Sequence, residues 1–268
     1  MRVRTLIFAA LACLSMGLPA AALDLDDVVT ARALSGAPQS DGTHIAGLDI
    51  RLAPGWKTYW RQPGEGGIPP RFNWAGSENV GAVEPHWPVP YVSWQNGLRS
   101  IGYEGRVVIP LRIRPTRSGA PMRLAGEIEI GVCEEICIPV TLRVDTELGG
   151  GDTLAPAISA ALSDRPMRPA EANVSGVVCQ ITPISDGMRV VYSVSMPPLG
   201  AREDSAIEFE DPSVWITEPV SKRDGGRLQV SAELIAPSNA PFSIARQDLR
   251  LTVFGDAGAV DIQGCSAG

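Results

Sequence analysis

The sequence predicts an all-β protein of two immunoglobulin-like β-sandwich domains that are joined by a linker with one short helix. Apolar and polar residues alternate with period two in many short segments, the pattern of antiparallel strands that cover a core with one face. The 268 residues include 28 glycines and 23 prolines, a content that favours short strands and tight turns. A glycine-rich break near residue 149 leaves two parts, each large enough for a sandwich of about 100 residues.

Residues 1–22 are predicted to be a signal peptide. Arg2 and Arg4 form a basic start, residues 6–18 are mainly apolar, and three alanines lead to a cleavage site near Ala22. No later apolar run approaches the roughly 18 residues that a membrane helix needs. We therefore expect an exported protein of the periplasm.

The mature chain is predicted to be acidic. Loss of Arg2 and Arg4 with the signal peptide changes the formal net charge from −7 to −9. The remaining basic residues are scattered along the sequence, whereas nucleic-acid binding needs a basic face. Nucleic acid is therefore not a predicted partner.

Residues 23–148 are predicted to form the first sandwich domain. Apolar side chains share one face in four alternating segments, 48–52, 107–113, 124–132 and 140–144. Proline and glycine interrupt the stretches between these segments, which are too irregular for long strands or for helices.

The linker is predicted at residues 149–167 and the second sandwich domain at residues 168–268. In the linker, Ile158 and Leu162 lie four positions apart and Pro166 follows, as in one short helix. Alternation resumes in the second domain, in segments 188–196, 228–230 and 249–253.

Four cysteines remain when Cys13 is removed with the signal peptide. An even number in an oxidising compartment indicates disulfides, and four cysteines allow three pairings. A bridge from Cys179 to Cys265 would tie the two ends of the second domain together. Its loop of about 87 residues would stabilise the fold by about 4.5 kcal/mol on the chain-entropy model. We interpret this pair as a structural disulfide.

Cys133 and Cys137 flank the turn "CEEIC" and are predicted to be a redox pair. The alternation places Cys133 on the polar face with Glu127 and Glu129, so its sulfur is expected to point outward. A bridge across so short a loop removes little entropy from the unfolded chain and would be an inefficient staple. We expect Cys137 to be buried by the turn and Cys133 to form the mixed disulfide with a partner.

Three interpretations of this pair remain open from the residues alone. The first is a redox relay. Glu134 and Glu135 oppose thiolate formation by charge repulsion, so the pair suits attack by the activated thiol of a partner better than action as a strong oxidant. The same carboxylates favour a partner with a basic surface. An inert bridge that only fixes a hairpin is the second. A metal clip is the third: His44 and His86 do not complete a zinc site, but two thiolates could hold Cu(I).

Four segments together resemble the N-terminal periplasmic domain of the thiol:disulfide interchange protein DsbD family, and more closely its relative ScsB, the suppressor of copper sensitivity. They are "PGWKTYWRQPGEGGIPPRFNW", "WPVPYVSW", "IGYEGRVVIPL" and "GVCEEICIP", in order over about residues 40–146. The resemblance implies an immunoglobulin-like domain whose pair, Cys133 and Cys137, takes electrons from a membrane-embedded domain through a thioredoxin-like domain. The pair then passes them to periplasmic oxidoreductases.

The resemblance also implies a cap loop with an aromatic side chain over the cysteine pair. By position, Trp94 is the first candidate for that side chain and Tyr91 the second, while Tyr59 and Trp56 match aromatic positions that line the site. Ordinary core packing is the alternative for each of these aromatic residues, above all for Trp56.

The predicted function is periplasmic thiol–disulfide exchange through Cys133 and Cys137, with no cofactor and with Glu134 and Glu135 beside the pair. No segment resembles the family's membrane conduit or its thioredoxin-like domain. We therefore expect thioredoxin-like oxidoreductases as partners and a separate membrane electron-transfer protein as the source of electrons. The alternative is a copper-tolerance module that binds Cu(I) through the same two thiolates.

Overall fold

A computed structural model describes residues 24–95, 97–149 and 153–268. The predicted signal peptide lies outside the described residues. Within these ranges, neither helix has the length and apolar character needed to cross a bilayer.

The first half of the chain, residues 24–149, forms two facing β-sheets. Its elements are α1 (Leu25–Val28), β1 (Val29–Pro38), β2 (His44–Leu52), β3 (Lys57–Tyr59), β4 (Arg71–Asn73), β5 (Val80–Pro85), β6 (Tyr91–Gln95), β7 (Leu98–Glu104), β8 (Arg106–Pro115), β9 (Met122–Cys133) and β10 (Cys137–Leu148). The strand orders are β1-β2-β8-β5 in one sheet and β10-β9-β3-β7-β6 in the other, where β4 also pairs with β9. Both sheets contribute to one core, which includes Leu48, Leu111, Ile101 and Ile128.

The second half, residues 168–268, repeats this arrangement with a second core. Its strands are β11 (Gly176–Pro183), β12 (Met188–Ser195), β13 (Glu203–Phe209), β14 (Trp215–Ile216), β15 (Val220–Asp224), β16 (Arg227–Ile235), β17 (Leu249–Gly255), β18 (Gly258–Gln263) and β19 (Ser266–Ala267), with a 3₁₀ turn at Arg246–Asp248. One sheet has the order β14-β16-β12-β11-β19, with β15 also on β16, and the other has the order β13-β17-β18. The predicted all-β, immunoglobulin-like fold class is confirmed.

The predicted linker helix is α2 (Pro156–Ser163), which begins with a proline in its first turn, where no intrahelical N–H is needed. Ile158 is fully buried against Ile45 and Val108 of the first half. The helix therefore packs on the first half instead of spanning a gap. The domain boundaries at residues 148 and 168 stay a prediction.

The two halves share an apolar contact and several ion pairs. Trp60, which is fully buried, meets Phe254 edge-on with 5.4 Å between ring centroids. The guanidinium of Arg61 lies over the Trp60 ring and donates to both carboxylate oxygens of Glu208, at 2.8 and 2.9 Å. Because Phe254 belongs to the core of the first half, that core extends into the second half.

Cys179 and Cys265 are joined by a disulfide in the second half. Cys179 is buried in β11, and the strand that follows Cys265, β19, pairs with β11 in parallel. The bridge thus connects β11, the first strand of this sheet in chain order, to the residue that directly precedes the last strand, β19. Its purely structural role stays a prediction.

Strand β3, which carries Tyr59, lies very close to β7. Tyr59 pairs with Gly102, and a Cβ at Gly102 would lie 2.0 Å from the carbonyl oxygen of Thr58. Because only glycine tolerates this approach, Gly102 fixes the position of β3 between β7 and β9.

Candidate functional site

The cysteine pair closes the end of the β9–β10 hairpin. Cys137 is the register partner of Cys133, their Cα atoms are 4.2 Å apart, and a disulfide joins them. Alternating apolar residues run up to Cys133 in β9 and resume after Cys137 in β10, so the turn 134–136 is the point where the chain reverses. The pair therefore lies at a sheet corner.

The two cysteines differ in burial, and the expectation that Cys137 is buried and that Cys133 points outward is wrong. Cys133 is 1 % exposed, whereas Cys137 is exposed to solvent. The alternation rule correctly puts Cys133 on the face of β9 that also carries Glu129, but that face is covered at its end. A Cβ at Gly131 would lie 3.1 Å from the Tyr59 ring and 2.7 Å from Ile68, so these residues pack directly on the strand.

Cys137 is exposed because β10 is the edge strand of its sheet. Cys137 directly follows the exposed turn residues 134–136, and no further strand of that sheet lies beyond β10. A reagent from solvent therefore meets Cys137 before it meets Cys133.

The hydroxyl of Tyr59 touches both sulfur atoms. Tyr59 Oη lies 2.7 Å from Cys133 Sγ, 3.2 Å from Cys137 Sγ and 3.1 Å from the carbonyl oxygen of Gly66. Burial raises the pKa of Tyr59 above its usual value, so the hydroxyl keeps its proton. It is therefore a fixed neutral donor beside the disulfide.

Lys57 and Gln95 form a polar connection across the turn. Lys57 is the cross-strand neighbour of Cys133 and is 9 % exposed. Its Nζ donates to Gln95 Oε1 at 3.0 Å, and Gln95 Nε2 donates to the carbonyl oxygen of Glu134 at 3.1 Å. A buried cation is therefore held close to the cysteine pair by the tip of the β6–β7 hairpin.

A cavity of about 100 Å³ lies against the disulfide. Its lining residues are Lys57, Tyr59, Gly66, Gln95, Leu98, Ser100, Cys133, Glu134, Glu135 and Cys137. The structure thus brings three predicted site residues, Tyr59, Glu134 and Glu135, together with the pair. The wall combines one cation with two carboxylates.

Lys57, Gln95 and Leu98 were not found from the sequence. Lys57 is distant from both cysteines in the sequence, and no lysine or arginine lies between the cysteines. Its position two residues before Tyr59 was a usable signal, because alternate residues of a strand share a face.

The other predicted aromatic residues lie away from the disulfide cavity. Trp94 is 58 % exposed and precedes Gln95 in β6, so its side chain lies on the opposite face of the strand. With Tyr91 it borders a cleft of about 720 Å³ that residues 201–204 of the second half also line. Trp56 is half-buried and packs on the core of the first half, in agreement with the alternative of ordinary core packing.

Comparison with known proteins finds a family that matches part of the chain. Residues 27–148 match the family described as "Thiol:disulfide interchange protein DsbD, N-terminal". No curated protein sequence matches the chain. The resemblance found from the sequence is therefore confirmed over these residues.

Solved structures that match this chain include one that is similar over nearly its whole length. The N-terminal periplasmic domain of ScsB from Proteus mirabilis is 25 % identical, with a TM-score of 0.63 over 90 % of this chain and 92 % of that chain. A protein of unknown function from Porphyromonas gingivalis W83 is 12 % identical over 88 % of this chain and 98 % of that chain, and its TM-score of 0.20 is too low to indicate a shared fold.

Gly131→Ala tests the packing that buries Cys133. The new methyl group would press on Tyr59 and Ile68, and we expect the free energy of unfolding to fall by about 1–3 kcal/mol in urea titrations. Gly226→Ala is the control, because nothing lies within 4 Å of a Cβ there. Equal stability of the two variants would contradict the described packing of Tyr59.

Proposed function

We propose that the protein, with its DsbD N-terminal-type domain at residues 27–148, is a periplasmic thiol–disulfide exchange protein. One observation carries the proposal: the Cys133–Cys137 disulfide has one exposed end and one end buried against a hydrogen-bond donor. An inert staple has no need of this asymmetry. Exchange does, because one sulfur must be attacked while the other leaves.

The difference in burial supports a different role for each cysteine. A partner thiolate attacks Cys137 Sγ, the Cys133–Cys137 bond breaks, and Cys133 leaves as a thiolate. The partner's second thiolate then attacks the partner's sulfur atom in the mixed disulfide. This releases Cys137 as a thiolate and leaves the partner with an internal disulfide. Two electrons enter the pair, and the two thiolates take up two protons; the reverse sequence reduces a partner disulfide.

Tyr59 and Lys57 support the step in which Cys133 leaves. The Tyr59 hydroxyl donates to the thiolate, and the nearby ammonium group of Lys57 offsets its charge. Glu134 and Glu135 act in the opposite sense by charge repulsion. This balance suits a relay that works in both directions better than a strong oxidant.

The partners that fit this site are thioredoxin-like oxidoreductases, whose paired thiols can perform both steps of the exchange. Glu134 and Glu135 lie beside the attacked sulfur and favour a partner with a basic rim. We propose that Gln95 and Leu98 cover the disulfide in place of Trp94, because these two residues line the cavity.

A trapping experiment tests the roles of the two cysteines. In Cys133→Ala the exposed Cys137 thiol has no internal partner. We expect it to capture a purified thioredoxin-like protein that lacks its resolving cysteine and carries its attacking cysteine as a mixed disulfide with thionitrobenzoate, which leaves as a thiolate when Cys137 attacks. In Cys137→Ala the remaining thiol is buried, and capture should be at least about tenfold slower. Mixed disulfides are counted by non-reducing electrophoresis and mass spectrometry, with the double variant as control.

Other outcomes of the trapping experiment would contradict the proposal. Faster capture by Cys137→Ala would reverse the assigned roles. Capture by neither variant would refute exchange. Stoichiometric Cu(I) uptake by the reduced protein, lost in both single variants, would then support the copper-tolerance alternative.

Lys57→Met tests the cation beside the leaving thiolate. We expect reduction by glutathione at pH 7 to slow about tenfold, equivalent to about 1.4 kcal/mol of barrier, while Lys57→Arg stays close to the wild type. Lys222→Met is the matched control, since it removes the same charge from an exposed position in the second half. The rate is followed by mass-tag alkylation. Equal rates in the two methionine variants would rule out a local role for Lys57.

A further inference from the structure

We infer that the second half of the chain positions the redox site by holding the tip of the β6–β7 hairpin, through Arg99 and Asp204. The hairpin tip is defined as residues 94–95 and 97–99. The inference rests on the proposed exchange function for its meaning, but the contacts that carry it stand independently. It gives the second half a role at a site to which it contributes no lining residue.

One face of the hairpin tip lies on the cysteine turn. The Gln95 side chain donates a hydrogen bond to the Glu134 carbonyl oxygen and accepts one from Lys57. Leu98, the register partner of Gln95, lines the disulfide cavity. The tip therefore touches the turn that links the two cysteines and the cation beside them.

The opposite face of the tip is bound to the second half through Arg99. This residue is 2 % exposed, and its Nη1 donates to the Asp204 carboxylate and to the Ser205 carbonyl oxygen, the latter at 2.8 Å. Glu218 lies 4.0 Å from Arg99 Nε, and burial raises the pKa of Glu218. Among the described residues, every ion pair and side-chain hydrogen bond of Arg99 goes to the second half.

The main chain of Arg99 also supports the loop 60–70, which connects β3 to β4 and carries Gly66 and Ile68. Its carbonyl oxygen accepts a hydrogen bond from Gly66 N–H at 3.3 Å, and the Gly66 carbonyl oxygen lies 3.1 Å from Tyr59 Oη. Arg99 therefore connects three parts of the structure. Its side chain binds the second half, its backbone binds the loop 60–70, and the hairpin tip to which it belongs contacts the cysteine turn.

The hairpin tip needs this support because β6 is the edge strand of its sheet. A two-stranded hairpin end is marginally stable without packing on a further element. A buried guanidinium is also costly when its carboxylate is removed, so loss of Asp204 should displace Arg99 and loosen the tip. The disulfide would then be less covered, although no residue in contact with sulfur has changed.

Asp204→Ala in the full-length protein tests the inference. We expect dithiothreitol to open the Cys133–Cys137 bridge about tenfold faster than in the wild type, because local opening of the tip becomes more frequent. Amide hydrogen exchange should also accelerate in residues 91–101. The equilibrium constant with glutathione should stay within about twofold, because the lost contact touches neither sulfur.

Two control variants separate positioning from general loss of stability. Glu203→Gln weakens the neighbouring ion pair with Arg223 inside the second half, and Glu208→Gln weakens another ion pair between the halves, the one with Arg61. Both should open at the wild-type rate. Asp204→Asn, which keeps one acceptor oxygen, should open about threefold faster and replaces the alanine variant if that variant does not fold.

The outcomes are distinct. Opening of both Asp204 variants at the wild-type rate, or equal acceleration in all variants, would overturn the inference. A wild-type bridge that does not equilibrate with glutathione would contradict the proposed function alone, because dithiothreitol still reports how well the tip covers the disulfide.

Discussion

Contact between the Tyr59 hydroxyl and Cys133 Sγ, at 2.7 Å, is the interaction on which the remaining features of the site depend. It forms because β3 lies directly beside the end of β9, so that Tyr59 and Lys57 share a face with Cys133. Gly131 leaves the room that the Tyr59 ring fills. The sulfur of Cys133 is therefore buried beside a hydrogen-bond donor, whereas Cys137 is exposed at a sheet edge. In the proposed exchange, this difference directs attack to Cys137.

Strand order and the β6–β7 hairpin determine what surrounds the two cysteines. The strand order β10-β9-β3-β7-β6 places the exposed cysteine on one edge and the covering hairpin on the other, with the buried cysteine and Tyr59 between them. The hairpin alone would be a weak cover. Its tip is bound on one face by Gln95 and on the other by Arg99, so the second half of the chain becomes part of the support of the site.

Much of the fold could be predicted from the sequence because alternation of apolar residues reports directly on strands with one buried face. The burial of the two cysteines could not. Alternation gives the direction of a side chain but not what packs over that face, and Tyr59 comes from another strand. Trp94 shows a related limit, since a shift of one residue in a strand reverses the face and makes Gln95 the inward residue.

Peptide mapping under graded glutathione redox buffers is the most direct measurement of the central claim. The Cys133–Cys137 bridge should open in mildly reducing buffer, while Cys179–Cys265 stays closed down to potentials below about −300 mV, as structural disulfides do. Opening of both bridges at the same potential, or cross-links between the two halves, would contradict the account.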